Sequence, residues 1–296
     1  LELVYWEEIL FFAFFLLWTY LAGFHPAAYG TEKFMDYAFM QKMVTTTKLP
    51  PDDVWFAGKI INYYYGGQYY AAFVAKAMIG GISKTEYSYN MMRALIPALM
   101  FAGVYGIADE MIKSRAKKKN VDFSKTKNRV RIQFFAVLSA VLAVFAGNGH
   151  YIVYGMLKPF INNTVASVSY TWHQDINVDS SSYWFPDATR YIGYNPDVPT
   201  DKTIHEFPCY SFVLGDLHAH MINIMIVITI IALLYSFVKN PKLTEERGKL
   251  YKCFGYPQIY ALGLLWGLCN FTNYWDYIIY IVVIVITVLF ANIIAD

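Results

Sequence analysis

From Met221 to Val238 the chain reads MINIMIVITIIALLYSFV, without one charged side chain. At ~1.5 Å of rise per residue, a helix of that length nearly crosses the hydrocarbon core of a bilayer. A backbone in lipid must satisfy its hydrogen bonds internally, so the stretch predicts a transmembrane helix. Immediately before it stands GDLHAH, Gly215–His220, the end of the longer segment EFPCYSFVLGDLHAH. Ionisable groups this close to hydrocarbon are costly to desolvate and usually face protein, water or a ligand. The mouth of this span is therefore the leading site candidate.

Further apolar runs at Ile9–Phe24, Met91–Ile112, Ile132–Gly147, Tyr256–Leu268 and Tyr277–Ile294 bring the expected spans to about six. Charged residues make up 16% of the chain and hydrophobic ones 57%, against about 25% charged in soluble domains. The expected fold class is an all-α polytopic membrane protein. Tyr63–Ile82 is ambiguous, because it is long enough to span yet carries two glycine pairs, Gln68 and Lys76. Its aromatic, glycine-broken make-up fits a helix lying along the membrane interface. If it crosses instead, there are seven spans and the first loop changes sides.

Basic stretches at Lys113–Arg131 and Lys239–Lys252 predict cytoplasmic loops. The polar loops 25–88 and 148–208 then lie outside, together with all six histidines. No repeat or low-complexity linker divides the chain, so a single transmembrane domain is expected over residues 1–296. Leu1 and the apolar C-terminal end read as a segment of a longer protein. Cys209, Cys253 and Cys269 show neither metal-ligand spacing nor a disulfide framework.

Four motifs carry chemistry. In DLHAH, an acid beside HxH offers Asp216, His218 and His220 as ligands for a divalent ion, Mg, Mn or Zn. Both histidines reach one ion only if the segment is extended there. If the helix begins at Gly215, the shared face is instead Asp216, His220 and Asn223. The structural alternative has Asp216 capping the helix. In TEKFMD, Glu32 and Asp36 share a helical face, where an apolar setting suits a general base. The alternative is a solvated loop helix, N-capped by Thr31 and broken by Pro50-Pro51. WFPDATR offers Trp184, Asp187 and Arg190; the guanidinium suits a phosphate, or pairs with Asp187. NYWD places Asp276 at the start of the last span, leaning into a cavity or anchoring beside Trp275 at the interface.

Together, EKFMDYAF, PPDDVWFAGKIINYYYGGQYYAAF, ATRYIGY, TIHEFPCYSFVLGDLHAH and TNYWDY resemble the "YYY" multi-pass membrane proteins of archaea and Chloroflexi-type bacteria. That family is named for its tri-tyrosine, here Tyr63-Tyr64-Tyr65. It is distantly similar to the GT-C glycosyltransferases, which take sugars from polyprenyl-phosphate donors. The resemblance implies a GT-C-like helix bundle with Glu32 or Asp36 as the acid of the first outer loop. It also implies Tyr63–Ile82 as the juxtamembrane helix. The chain has no DxD pair, and GDLHAH has no counterpart in the sugar transferases.

The expected function is a lipid-phosphate-sugar-dependent glycosyltransferase of the cell membrane, with its active face extracytoplasmic. Asp36 or Glu32 would be the base, Lys33 and Arg190 would hold phosphate, and Trp184 and Trp55 would stack on sugar. Tyr63, Tyr64, Glu206 and Asp276 would complete the substrate pocket. Asp216, His218 and His220 would finish it, with a divalent ion as an option. The acceptor would be a glycan, lipid or protein, and no nucleic acid is expected. The alternatives are a metal-dependent hydrolase built on DLHAH, or a non-enzymatic transporter or scaffold. Few mid-membrane charges and no inverted repeat speak against transport.

Overall fold

The computed structural model describes residues 2–77, 84–150, 152, 157, 185–190, 198–200, 202–240 and 249–294. Among these residues there is no strand, only an isolated bridge between Asp52 and Ile60. The chain divides into two compact units, residues 1–140 with 215–296, and residues 141–214.

The larger unit begins with α1 (Glu2–Ala22), α2 (Lys33–Thr45), α3 (Gly66–Ala77) and α4 (Thr85–Lys118). It continues into α5 (Thr126–Phe145), which runs on past the unit's boundary. After α6 (Pro208–Leu214), which belongs to the smaller unit, come α7 (Ala219–Val238), α8 (Pro257–Thr272) and α9 (Tyr274–Ile294). Of the described helices, α1, α4, α5, α7 and α9 are long and apolar enough to cross a membrane. α8 has 16 residues, about 24 Å, which is shorter than a typical hydrocarbon core. The described part of α3 has 12 residues, about 18 Å. The expected helix over Tyr63–Ile82 starts at Gly66 and is described as far as Ala77; residues 78–82 lie outside the described ones.

α1 packs chiefly on α4, where Phe14 stacks on Phe101 with centroids 4.7 Å apart. α7 joins α4 to the α8–α9 pair, and Ile230 and Leu234 meet Leu262 and Cys269 in a buried cluster. Lipid tails are as apolar as these side chains, so close packing rather than water exclusion holds such helices together. α3 follows that rule with a buried face of Gly66, Gly67, Gln68, Ala71, Ala72 and Ala75. A Cβ at Gly66 would stand 2.5 Å from Phe271 Cδ1, and one at Gly67 2.8 Å from Ile222 Cδ1. The glycine pair after the three tyrosines therefore lets α3 press against α8 and α7. α2 ends at Thr45 with extended backbone at Thr46, ahead of Pro50-Pro51 as expected.

The smaller unit holds the 3₁₀ turn Phe185–Thr189 and α6, tied to each other by Phe185 stacked on Tyr210 at 5.4 Å. Arg190 donates to Pro186 O, Thr189 Oγ1 and the Tyr210 hydroxyl. The Ser211 hydroxyl donates to Glu206 Oε2 at 2.7 Å. Trp184 and the side chain of Asp187 lie outside the described residues.

Candidate functional site

Three separate segments of the larger unit converge on one group of acids. The first is the entry to α2, Thr31–Asp36. The second is Gln68 on the buried face of α3, and the third is Gly215–His218, which leads into α7. Gly215 takes a positive φ of +69°, and a Cβ there would land on the Arg93 guanidinium. Only a glycine lets that arginine lie against the backbone. His218 is extended (φ −61°, ψ 151°), and the helix starts at Ala219.

Hydrogen bonds fix one oxygen of each buried acid. The Thr31 hydroxyl donates to Asp216 Oδ1 at 2.6 Å. The Gln68 amide donates to Asp36 Oδ1 at 3.1 Å and to Leu217 O at 2.9 Å. The other oxygens, Asp36 Oδ2 and Asp216 Oδ2, are buried without a hydrogen-bond partner among the described residues. They face His218, whose Nε2 lies 3.9 Å from Asp36 Oδ2, 3.7 Å from Asp216 Oδ2 and 3.1 Å from Glu32 Oε2. Asp36 is 0% and Asp216 2% exposed, whereas the Glu32 side chain is 59% exposed.

Burial sets the electrostatics. It raises Asp36 to about 8, helped by the charge of Asp216 and opposed by the Gln68 hydrogen bond. Burial also raises Asp216, against the hydrogen bond from Thr31 and the charges of His218 and Lys33. Lys33 is lowered by burial first and by the nearby Arg93 second. Tyr63 is raised by burial and then by Asp36 and Glu32.

Several sequence expectations are revised here. Glu32, not Thr31, occupies the N-cap position of α2, because the Thr31 side chain is drawn off to Asp216. Asp216 does not cap α7, and that helix does not begin at Gly215. The face shared by Asp216, His220 and Asn223 is replaced by an extended approach. Asp276 turns inward rather than anchoring at the surface. It accepts from Asn223 Nδ2 at 2.6 Å and Asn273 Nδ2 at 2.8 Å, while Trp275 is exposed. The Thr272 hydroxyl donates to Asn223 Oδ1 and completes this link between α7 and the α8–α9 corner.

The remaining predicted residues fall as follows. Tyr63 packs on Phe39 and Tyr64, with centroids 5.8 and 4.9 Å away. Trp55 is exposed and meets Phe34 and Phe39 edge-on. The His220 ring lies 5.5 Å from that of His218, on an exposed residue. Arg190 and Glu206 belong to the smaller unit.

Two features escaped the sequence. Arg93 is buried at the start of α4 and donates to Asn90 Oδ1 at 2.7 Å and His25 O at 3.2 Å. Its signal was an arginine at the edge of an apolar run, which is costly unless engaged. Gln68 had the same kind of signal, a lone amide on a small-residue face. Beside the cluster runs an apolar cavity of about 540 Å³ between α3, α4, α7 and α8. Its lining includes Gly67, Phe73, Ile222, Leu265 and Phe271. Ile222 donates its N–H to His218 O, so the groove starts one helical turn from the histidine.

The sequence pattern of a family described as "Uncharacterized membrane protein (DUF2298)" matches residues 2–295. No curated protein and no solved structure matches the chain.

Proposed function

We propose that this chain, which belongs to the DUF2298 family of uncharacterized membrane proteins, is a GT-C-like glycosyltransferase using a polyprenyl-phosphate-linked sugar at the extracytoplasmic face. The observation that carries the reading is the juxtaposition of an acidic cluster with an apolar groove one helical turn away. A lipid-linked donor has both halves of that pattern: a polar reacting head and a long apolar tail. A groove of about 540 Å³ has the capacity of a ligand site.

Burial separates the two carboxylates offered as base. Asp36 is sealed behind Gln68 and Leu217, whereas Glu32 is exposed at the rim and held near His218. Glu32 is therefore the group an acceptor hydroxyl reaches. The acceptor oxygen attacks the anomeric carbon, and the bond from that carbon to the phosphate oxygen breaks. The acceptor proton passes to Glu32, and the lipid phosphate leaves with the electron pair. Lys33 would take that phosphate, and Arg93, close enough for its charge to act on Lys33, would add positive charge where negative charge develops. Trp55, exposed beside Phe34 and Phe39, offers an aromatic face to a sugar ring.

The test is transfer of labelled hexose from polyprenyl phosphate to an acceptor by the protein in proteoliposomes. Glu32→Gln should lower the rate by about 10²–10⁴. Undiminished transfer would remove that carboxylate from the mechanism. Labelled sugar released to water at the same rate with or without acceptor would point to the hydrolase instead.

A further inference from the structure

We infer that the turn joining α4 to α5 is a binding surface for anionic phospholipid headgroups, whose phosphates meet Arg115, Lys117, Lys118, Lys119, Lys127 and Arg129. All six are exposed, and none has an ion pair among the described residues. The surface lies at the far end of α4 from the acidic cluster, and nothing in the inference depends on the reaction proposed above.

The local sequence leaves these cations uncompensated. Between Asp109 and Arg131 the acids are Asp109, Glu110 and Asp122, against nine lysines and arginines. Asp109 is taken by Lys113 at 2.6 Å, and Asp122 stands 3.9 Å from Lys125. The turn itself is fixed by hydrogen bonds. Asn120 adopts a positive φ of 52°, and Val121 donates its N–H to Ala116 O at 3.0 Å. Asp122 Oδ1 accepts from Ser124 N and Oγ at 2.9 and 2.6 Å, and Asn128 Nδ2 donates to Asp122 O at 2.8 Å across the turn. The end of α4 and the start of α5 are thus held together, and their like charges stay in one patch despite mutual repulsion.

Depth selects the partner. α4 has 34 residues, about 51 Å, against a hydrocarbon core of about 30 Å. From Arg93, beside the acidic cluster, to Lys113 is about 30 Å along the helix, so Arg115 to Lys119 fall in the headgroup layer. α5 agrees, because Arg129 and Arg131 stand just before its apolar run from Ile132. Beside the cations are exposed apolar side chains on both helices, Met111, Val130 and Phe134. Arg131 lies 5.8 Å over the Phe135 ring. Apolar side chains above cations match acyl chains above phosphates, and a soluble polyanion would leave the apolar part uncovered. Topology alone requires an excess of basic residues on this side, not a turn that gathers them beside exposed apolar side chains.

The experiment releases the full chain from nanodiscs of equal phosphatidylcholine and phosphatidylglycerol, and counts the retained lipids by native mass spectrometry. Phosphatidylglycerol should be retained over phosphatidylcholine by about fivefold or more. Lys117→Gln, Lys118→Gln, Lys127→Gln and Arg129→Gln combined should abolish that preference. Exchanging lysine and arginine at the same four positions should keep it, and Lys84→Gln, at the opposite end of α4, should leave it unchanged. The preference is read first on the unmutated protein, so a variant that misfolds does not decide the outcome. Equal retention of the two lipids would overturn the inference, as would a preference that survives the four glutamines. An RNA oligonucleotide or acidic peptide that binds in phosphatidylcholine nanodiscs, and displaces phosphatidylglycerol from the mixed ones, would assign the surface to a soluble polyanion instead.

Discussion

Asp36→Asn in the metal-free protein tests the electrostatic account most directly. Asp36 is fully buried, and burial and Asp216 push it from 3.8 to about 8. A shift of about four units at 1.36 kcal/mol each sets a ceiling near 6 kcal/mol. Because the folded value is raised, the folded state favours the protonated acid. The stability it contributes is complete below pH 3.8 and is lost as pH rises through about 8. Asparagine keeps the shape, still accepts from Gln68, and never ionises. Near pH 3.8 and below, the variant and the wild type should unfold at similar temperatures.

At pH 9 the wild type carries the buried charge, and the value of about 8 already includes the relief from Gln68. Relaxation of the surroundings around a buried ion leaves about 2 kcal/mol of that ceiling, so the variant should melt higher by on the order of 4 °C. Tryptophan fluorescence during heating in detergent with EDTA, from pH 3.5 to 9, reads both curves. Parallel curves with a constant offset would refute the assignment of Asp36 as a buried, neutral acid.

Other substitutions probe the neighbouring features. Gly215→Ala puts a methyl into the Arg93 guanidinium at a positive φ; it should cost about 1–3 kcal/mol and lower the melting temperature. Leu268→Trp fills the groove beside α8 and should raise KM for a long-chain lipid donor more than for a short-chain one; equal effects would separate the groove from the donor. Asn223→Leu removes the side-chain acceptor of buried Thr272, leaving it Leu268 O at 3.0 Å, and leaves Asp276 with one donor fewer. It should destabilise by about 1 kcal/mol, and an unchanged melting curve would show that the α7–α9 link carries no stability.

Several elements were legible because their cause is local. Long apolar runs mark α1, α4, α5, α7 and α9, and α2 ends ahead of Pro50-Pro51. The spacing of Glu32 and Asp36 put both on one face, and both do approach His218. The acid and histidine of DLH were also visible as ionisable groups at the mouth of a span. Arg93 and Gln68 were less visible, since a single polar residue in an apolar run does not say what it meets. The capping alternatives for Thr31 and Asp216 and the anchoring alternative for Asp276 failed because local capping and interface rules assume the nearest partner.

The sequence by itself determined the class of this protein. Hydropathy over the length of one helix requires a backbone that satisfies itself in lipid, and no distant contact is needed for that. Only the tertiary structure decided the site. Thr31 and Asp216 are 185 positions apart, and Gln68 reaches Leu217 across 149. The glycine pair at Gly66-Gly67 draws α3 against α7 and α8, and Gly215 admits Arg93. Those close approaches bring the polar ends of separate helices together, and whether a buried acid meets a partner depends on that packing alone.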